Sequence, residues 1–199
     1  MAKKDSFQRP RPHRNPRKVY VIATEGEKTE IIYFQCFQGN PYRQNITVKL
    51  LPTRKGDSAP KRVLKRLQKY AKQARLKPDD ELWLIIDVPE WPLADLQTVY
   101  QACQQEGYFL GASNPSFELW LLLHQRNPRT PPTEGQCEAE LTRLLKKPYD
   151  KSNYDPRLLL PHVDDAISHA RRLHTDSTEP WPQQVGTHVY CLVAKLTAS

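Results

Sequence analysis

Residues 18–30 read KVYVIATEGEKTE. Lys18 to Thr24 is a short β-branched and aromatic run, the pattern of a strand buried on both faces. Gly26 permits a sharp turn, and Thr29 can cap a helix running to Cys36 or Phe37. A buried strand that turns directly into a helix opens a βα unit, the connection that parallel strands require. Working outward, Ile46 to Leu51 reads as a second strand. Gly56-Asp57-Ser58 forms a turn, and Pro60 stands in the first turn of a helix to about Lys77. That helix places Val63, Leu64, Leu67, Tyr70, Ala71 and Ala74 on one stripe, and its other face is nearly all Lys and Arg. Pro78 breaks it. ELWLIID, Glu81 to Asp87, is a third strand. Pro92 starts a helix that Gly107 ends. Tyr108 to Ala112 is a fourth strand, and Pro115 opens an apolar helix from Ser116 to Gln125. This alternation predicts an α/β protein with a parallel sheet of about four strands flanked by helices on both faces.

Residues 127–133 (NPRTPPT) read as a linker. Three helical patterns follow, at about 134–147, 161–174 and 185–197, with no strand among them. The chain therefore divides into a disordered basic arm (1–17), an α/β core (18–126) and a helical extension packed on that core (127–199). A length of 199 residues supports one proper hydrophobic core. The four cysteines, at 36, 103, 137 and 191, show neither C-x-x-C nor zinc-finger spacing and read as reduced thiols. The start of the chain is basic and Pro-rich with no apolar core, and no stretch reaches the ~20 apolar residues that span a bilayer. These features predict a cytoplasmic protein without a membrane partner.

Charge is unevenly placed. The net charge is +8, yet residues 1–18 carry +6 and residues 54–77 carry +9, leaving −7 for the remainder. Two basic blocks beside an acidic remainder suggest a polyanion track next to an acidic site. The track would consist of Arg54 and Lys55 in a loop, then Lys61, Arg62, Lys65, Arg66 and Lys69 on the helix. A solvated helix face would look the same by composition alone.

In an open parallel sheet, ligands collect at the C-terminal strand ends. Glu25 follows the first strand, Asp87 ends the third, and Glu118 lies early in the helix after the fourth. Carboxylates gathered there repel one another and call for a cation, and hard oxygen donors select Mg²⁺ or Mn²⁺. Such a site suits phosphodiester cleavage. Acids in βα loops also serve simply as helix caps, so spacing alone leaves both readings open.

The wording of four motifs narrows the choice. VIATEGEKTEIIYF (21–34), IIDVPEW (85–91), SNPSFELWLLLH (113–124) and GTHVYCLVAKL (186–196) resemble the RloB-like family. The resemblance covers most of residues 18–196, and SNPSFELWLLLH is its most specific stretch. It implies a Toprim-like fold and association with restriction and abortive-infection loci, often beside an ATPase. In Toprim enzymes a glutamate after the first strand and a later D-x-D hold the metal. Carried over, Glu25 matches that glutamate and Asp87 the first aspartate. The second aspartate position is Pro89, which cannot bind metal. Either Glu90 and Glu118 complete a rearranged site for Mg²⁺ or Mn²⁺, or the metal centre is weakened or lost.

The resemblance thus implies an anti-phage defence protein acting on DNA or RNA through a metal-dependent nuclease site. The alternative is a non-catalytic nucleic-acid-binding or effector subunit of an ATPase-containing complex; a homo-oligomer stays open. Lys28 is a candidate contact for the scissile phosphate. Glu27 and Glu30 read as helix-dipole acids, with Glu30 close enough in sequence to reach the site. His124 reads as structural, and Trp83, Trp91 and Trp120 as core or site wall.

Overall fold

The computed structural model describes residues 17–39, 45–53, 56–128, 132–174, 176 and 178–198. The proposed arm over residues 1–16, together with Arg54 and Lys55, lies outside them. Strands β1 (Lys18–Thr24), β2 (Ile46–Leu51), β3 (Glu81–Asp87) and β4 (Phe109–Asn114) alternate with α1 (Thr29–Gln35), α2 (Pro60–Gln73) and α3 (Leu93–Glu106). Then come α4 (Phe117–Leu123), α5 (Glu134–Leu145), α6 (Val163–Leu173), the two-residue strand β5 (Gly186–Thr187) and α7 (Val189–Thr197). The sheet order is β2-β1-β3-β4-β5. The first four strands are mutually parallel, and β5 is antiparallel to β4. The expected parallel α/β sheet is therefore present, with one added edge strand.

The absence of polar alternation in β1 and β3 has a direct cause: both faces of the sheet are covered. Tyr20, Ile22, Trp83 and Ile85 point into one core layer with residues of α1 and α4 to α7. Val21, Ala23, Leu82, Leu84 and Ile86 point into the other, against Val63, Leu64 and Leu67 of α2 and Leu96, Val99 and Cys103 of α3. Each buried Val, Leu or Ile among them contributes about 1.5–3 kcal/mol. Helices α5, α6 and α7 share the first of these layers. Cys137, Leu141, Ile167, Ala170, Leu192 and Val193 sit in one cluster with Ile22 and Trp83.

Several expected boundaries change. The region after residue 127 does contain a strand. Gly186 and Thr187 are too short for any periodic signal, and their pairing comes from Asn114 and Ser113 on β4. A Ser113 Oγ to Thr187 Oγ1 hydrogen bond of 2.8 Å reinforces it. The helix expected from 185 therefore starts at Val189. Helix α2 stops at Gln73, not near Lys77. The cause is Asp80, whose carboxylate accepts from Val19 N at 2.7 Å and Lys77 N at 2.8 Å and fixes that turn beside β1. Strand β4 runs to Asn114, and α4 spans Phe117–Leu123, shorter than expected. Helix α5 ends at Leu145, where Lys146 adopts a left-handed conformation. Two 3₁₀ turns precede α6, at Pro156–Leu158 and Leu160–His162. Gly107 closes α3 with φ 70°, as expected of a left-handed C-cap.

Candidate active site: an acidic cleft at the strand ends

The C-terminal edge of the parallel strands opens into a cleft of about 260 Å³. Its lining includes Glu25, Glu27 and Glu30 from the β1–α1 segment and Asp87 and Glu90 from the end of β3 and the loop after it. Glu118 of α4, Glu134 of α5 and Lys151 complete the charged set. Glu25, Asp87, Glu90 and Glu118 were expected here, and all four are present.

Glu25 is buried just past β1 and points back across the sheet. Its Oε2 accepts from Asp87 N and its Oε1 from Trp91 Nε1, both at 2.9 Å. Trp91 is thus a wall of the site that also orients a carboxylate. Burial raises the Glu25 pKa to about 7; the two N–H donors act against this, and the charges of Glu30 and Glu90 add to it. Asp87 ends β3. Burial first, then the charges of Glu30, Glu25 and Glu118, hold its pKa well above the ordinary carboxylate value.

Glu30 belongs to this cluster. Its Oε1 accepts from Gly26 N at 2.8 Å, and the residue is buried. Its pKa is also raised, first by burial and then by Glu118. A β-carbon at position 26 would overlap the Glu30 carboxylate, so glycine is required there for close approach as well as for the turn. Glu30 lies in the first turn of α1. Reading it as a helix-dipole acid accounts for its place in sequence but not for its burial. Thr29 does not cap α1 through its side chain. Its Oγ1 instead donates to Lys151 O at 3.3 Å, a link across 122 residues.

Glu118 is buried in α4 and accepts from Tyr149 OH at 3.1 Å. Lys151 Nζ lies 3.6 Å from Glu118 Oε1, and 2.9 Å from both Glu134 Oε1 and Glu138 Oε1. Burial works against the Lys151 charge, but the bonds to Glu134 and Glu138 and the charge of Glu118 outweigh it, so its pKa is raised. Lys28, the expected phosphate contact, is exposed at the N-cap of α1 and is not part of the lining.

The donor set suits a hard divalent cation: several carboxylate oxygens whose proton affinity is raised by burial and by one another. The side chains as placed do not form a closed coordination shell. Among the described residues no three His, Cys, Asp or Glu side chains are grouped to hold a metal ion. Glu25, Glu30 and Glu118 each accept from N–H or O–H donors, which already engage some of their oxygens.

The opposite end of β3 offers a contrast. Glu81 is also buried, yet Lys18 Nζ (2.7 Å), Lys195 Nζ (3.0 Å) and Trp83 Nε1 (2.9 Å) bond its oxygens. Burial would raise its pKa, but these partners hold it below the usual value. A structural acid in this protein is neutralised by two lysines. Glu25 and Asp87 have backbone or tryptophan N–H partners but, among the described residues, no lysine or arginine partner.

Beside the cleft, Ser58 lines the wall immediately before α2. The exposed face of α2 carries Lys61, Arg62, Lys65 and Lys69. Lys61 Nζ pairs with Asp95 Oδ1 at 2.7 Å, and Arg62 reaches Gly56 O and Asp57. Arg66 is turned inward. Its guanidinium donates to Thr24 O (2.5 Å), Thr53 Oγ1 (2.7 Å) and Asp57 O (2.9 Å), bolting the end of β1 to α2. His124 is structural: Nδ1 meets Trp120 O and Nε2 meets Tyr33 OH, each at 3.0 Å.

Among the described residues no helix is long and apolar enough to cross a membrane. The family described as RloB-like protein matches residues 20–196, nearly the whole chain. No curated protein matches it.

Proposed function

The chain belongs to the RloB-like protein family, and from that premise we propose that it is a phage-defence nuclease that cuts DNA or RNA with a divalent metal at the acidic cleft. The observation that carries the reading is the acid cluster at the C-terminal strand ends, where Lys151 pairs with Glu134 and Glu138 but, among the described residues, no cationic side chain is paired with Glu25, Glu30 or Asp87. Buried carboxylates with raised proton affinity are costly unless a cation joins them. Glu25, Asp87 and Glu90 would hold Mg²⁺ or Mn²⁺, with Glu118 and Glu30 completing the acidic wall. A divalent ion held by those carboxylates would supply Lewis-acid chemistry at a phosphoryl oxygen. The chain's own part is to orient Glu25 through Asp87 N–H and Trp91, and to hold the nucleic-acid backbone along α2.

The test is cleavage of plasmid, linear duplex, single-stranded DNA and RNA by the purified protein, with Mg²⁺, Mn²⁺ or EDTA. Metal-dependent cutting that Asp87→Asn removes is the expected result. Cutting that persists unchanged in that variant would sink the assignment. The α2 track has its own readout. Lys61→Glu, Lys65→Glu and Lys69→Glu together are expected to lower the salt slope of duplex binding by about 2–3, since each phosphate contact contributes ~0.9. The exposed Lys61–Asp95 pair contributes at most ~1 kcal/mol, so Tm should move little. Unchanged affinity would refute the track.

A second reading, an effector subunit without turnover that works beside an ATPase, is favoured by one specific feature. Pro89 stands where the resemblance places the second aspartate, and both Glu25 oxygens already hold donors. Pro89→Asp separates the two readings. Under the nuclease reading it raises Mn²⁺ affinity or cleavage by about tenfold or more. Native and Pro89→Asp proteins that bind nucleic acid yet cut nothing would leave the effector reading standing.

A further inference from the structure

We infer that Lys151 is the residue that receives a nucleic-acid phosphate in the cleft, an assignment that rests on the nuclease reading above. A phosphate entering a cavity lined by Glu25, Glu27, Glu30, Asp87, Glu90, Glu118 and Glu134 meets like charge on every wall. Among the described residues lining that cavity, Lys151 is the one basic side chain.

Its placement suits the task. An ammonium has three donors. Two reach Glu134 Oε1 and Glu138 Oε1 at 2.9 Å, whereas Glu118 Oε1, at 3.6 Å, is beyond hydrogen-bond length. One donor therefore remains for a phosphate oxygen. The Lys151 side chain is 47% exposed and that of Glu118 only 4%, so the ammonium is reachable from outside while the acid behind it is not.

The backbone under Lys151 is held by the site itself. Thr29 Oγ1 donates to Lys151 O at 3.3 Å, and Tyr154 OH donates to Thr29 O at 2.8 Å. Tyr149 OH donates to Glu118 Oε1, and Ser152 N donates to Asp150 Oδ1 at 2.8 Å inside the turn. The turn over 149–154 is thus pinned to α1 and α4, the two helices that carry Glu30 and Glu118. A lysine fixed this way acts as a placed point charge, the form in which lysine binds phosphate.

The experiment measures binding of a fluorescein-labelled 20-base single-stranded DNA in Ca²⁺ buffer over a salt series. Native protein is compared with Lys151→Met and Lys151→Gln, with cleavage in Mg²⁺ and Mn²⁺ measured in parallel. Loss of one phosphate contact is expected to reduce the salt slope by about 0.7 and weaken binding to all sequences alike. Cleavage is expected to fall about 100-fold, the size of a lost charge-stabilising donor. Lys151→Arg is expected to restore the slope. Should Lys151→Met lose the fold, Lys151→Gln, which keeps a polar N–H donor without the charge, carries the same readout. An unchanged slope in the folded variant overturns the assignment. So does tighter Mn²⁺ binding with unchanged slope, which would make Lys151 only a counter-ion of the acidic wall. If the native protein cuts nothing, the nuclease reading falls, and the slope still decides the role of Lys151.

Discussion

Asp87→Asn is expected to abolish cleavage, by about a hundred- to a thousand-fold, while making the metal-free protein more stable at neutral pH. The two effects have one cause. Asp87 sits at the end of β3 where burial and the charges of Glu30, Glu25 and Glu118 disfavour its ionised form. An asparagine keeps the shape and removes the charge, so the repulsion ends. Only the backbone N–H of Asp87 bonds Glu25, and that group is unaffected by the change. A gain of about 1 kcal/mol would raise Tm by roughly 2–4 °C in a domain of this size. The measurement pairs thermal unfolding in EDTA with the cleavage assay. A variant that loses both activity and stability would mean that Asp87 is a structural acid, and the cleft would lose its case as a metal site.

The second large effect is a pH dependence that belongs to Glu25. Its pKa in the folded chain is about 7, raised from 4.5. A raised folded value means that the native state holds the proton more tightly than the unfolded chain does. The associated stability is fully present below about 4.5 and is lost as pH rises through about 7. The span corresponds to about 3 kcal/mol. Asp87 and Glu30, also raised, act in the same direction. Two histidines oppose them. His124 and His188 are pushed by burial to about 4, so their contribution is present above 6.5 and is lost as pH falls. The raw stability curve therefore mixes opposite signs, and the informative quantity is the difference between native protein and Glu25→Gln. Glutamine resembles the protonated acid in keeping one carbonyl acceptor, so the pH dependence of the difference follows the ionisation of Glu25. Between pH 5 and 8 in EDTA, native protein is expected to lose about 2–3 kcal/mol relative to Glu25→Gln. Saturating Ca²⁺ should shrink that loss, because a bound cation favours the ionised acid. A difference that does not change with pH would show that Glu25 is ionised throughout, without the burial cost ascribed to it.

Much of the site is legible in the sequence. Glu25 and Asp87 stand at the ends of strands that local sequence identifies, and an open parallel sheet brings such ends to one edge. Glu118 follows from the same rule through β4 and α4. Glu30 has a local signal, five residues from Glu25 in the same turn, but a dipole role explains it equally well. Its burial depends on the close approach that Gly26 allows. Lys151 and Tyr149 carry no signal. They reach the cleft from a turn more than a hundred residues beyond β1, and nothing in their own neighbourhood of sequence points to acids there.

Alone, the sequence determined the parallel sheet of four strands, the covering of both its faces, the basic stripe on α2 and the acidic strand ends. Each is written in local hydrophobic pattern and turn chemistry, which the chain obeys wherever it folds. Only the tertiary structure decided the rest. Strand β5 exists because β4 offers its edge to two residues. Arg66 leaves the basic face because Thr24 O and Thr53 Oγ1 are within its reach. The cleft has a lysine because Thr29 and Lys151 meet across 122 residues. Contacts of that kind have no period in sequence. They are set by which surfaces remain to be buried once the local elements have formed.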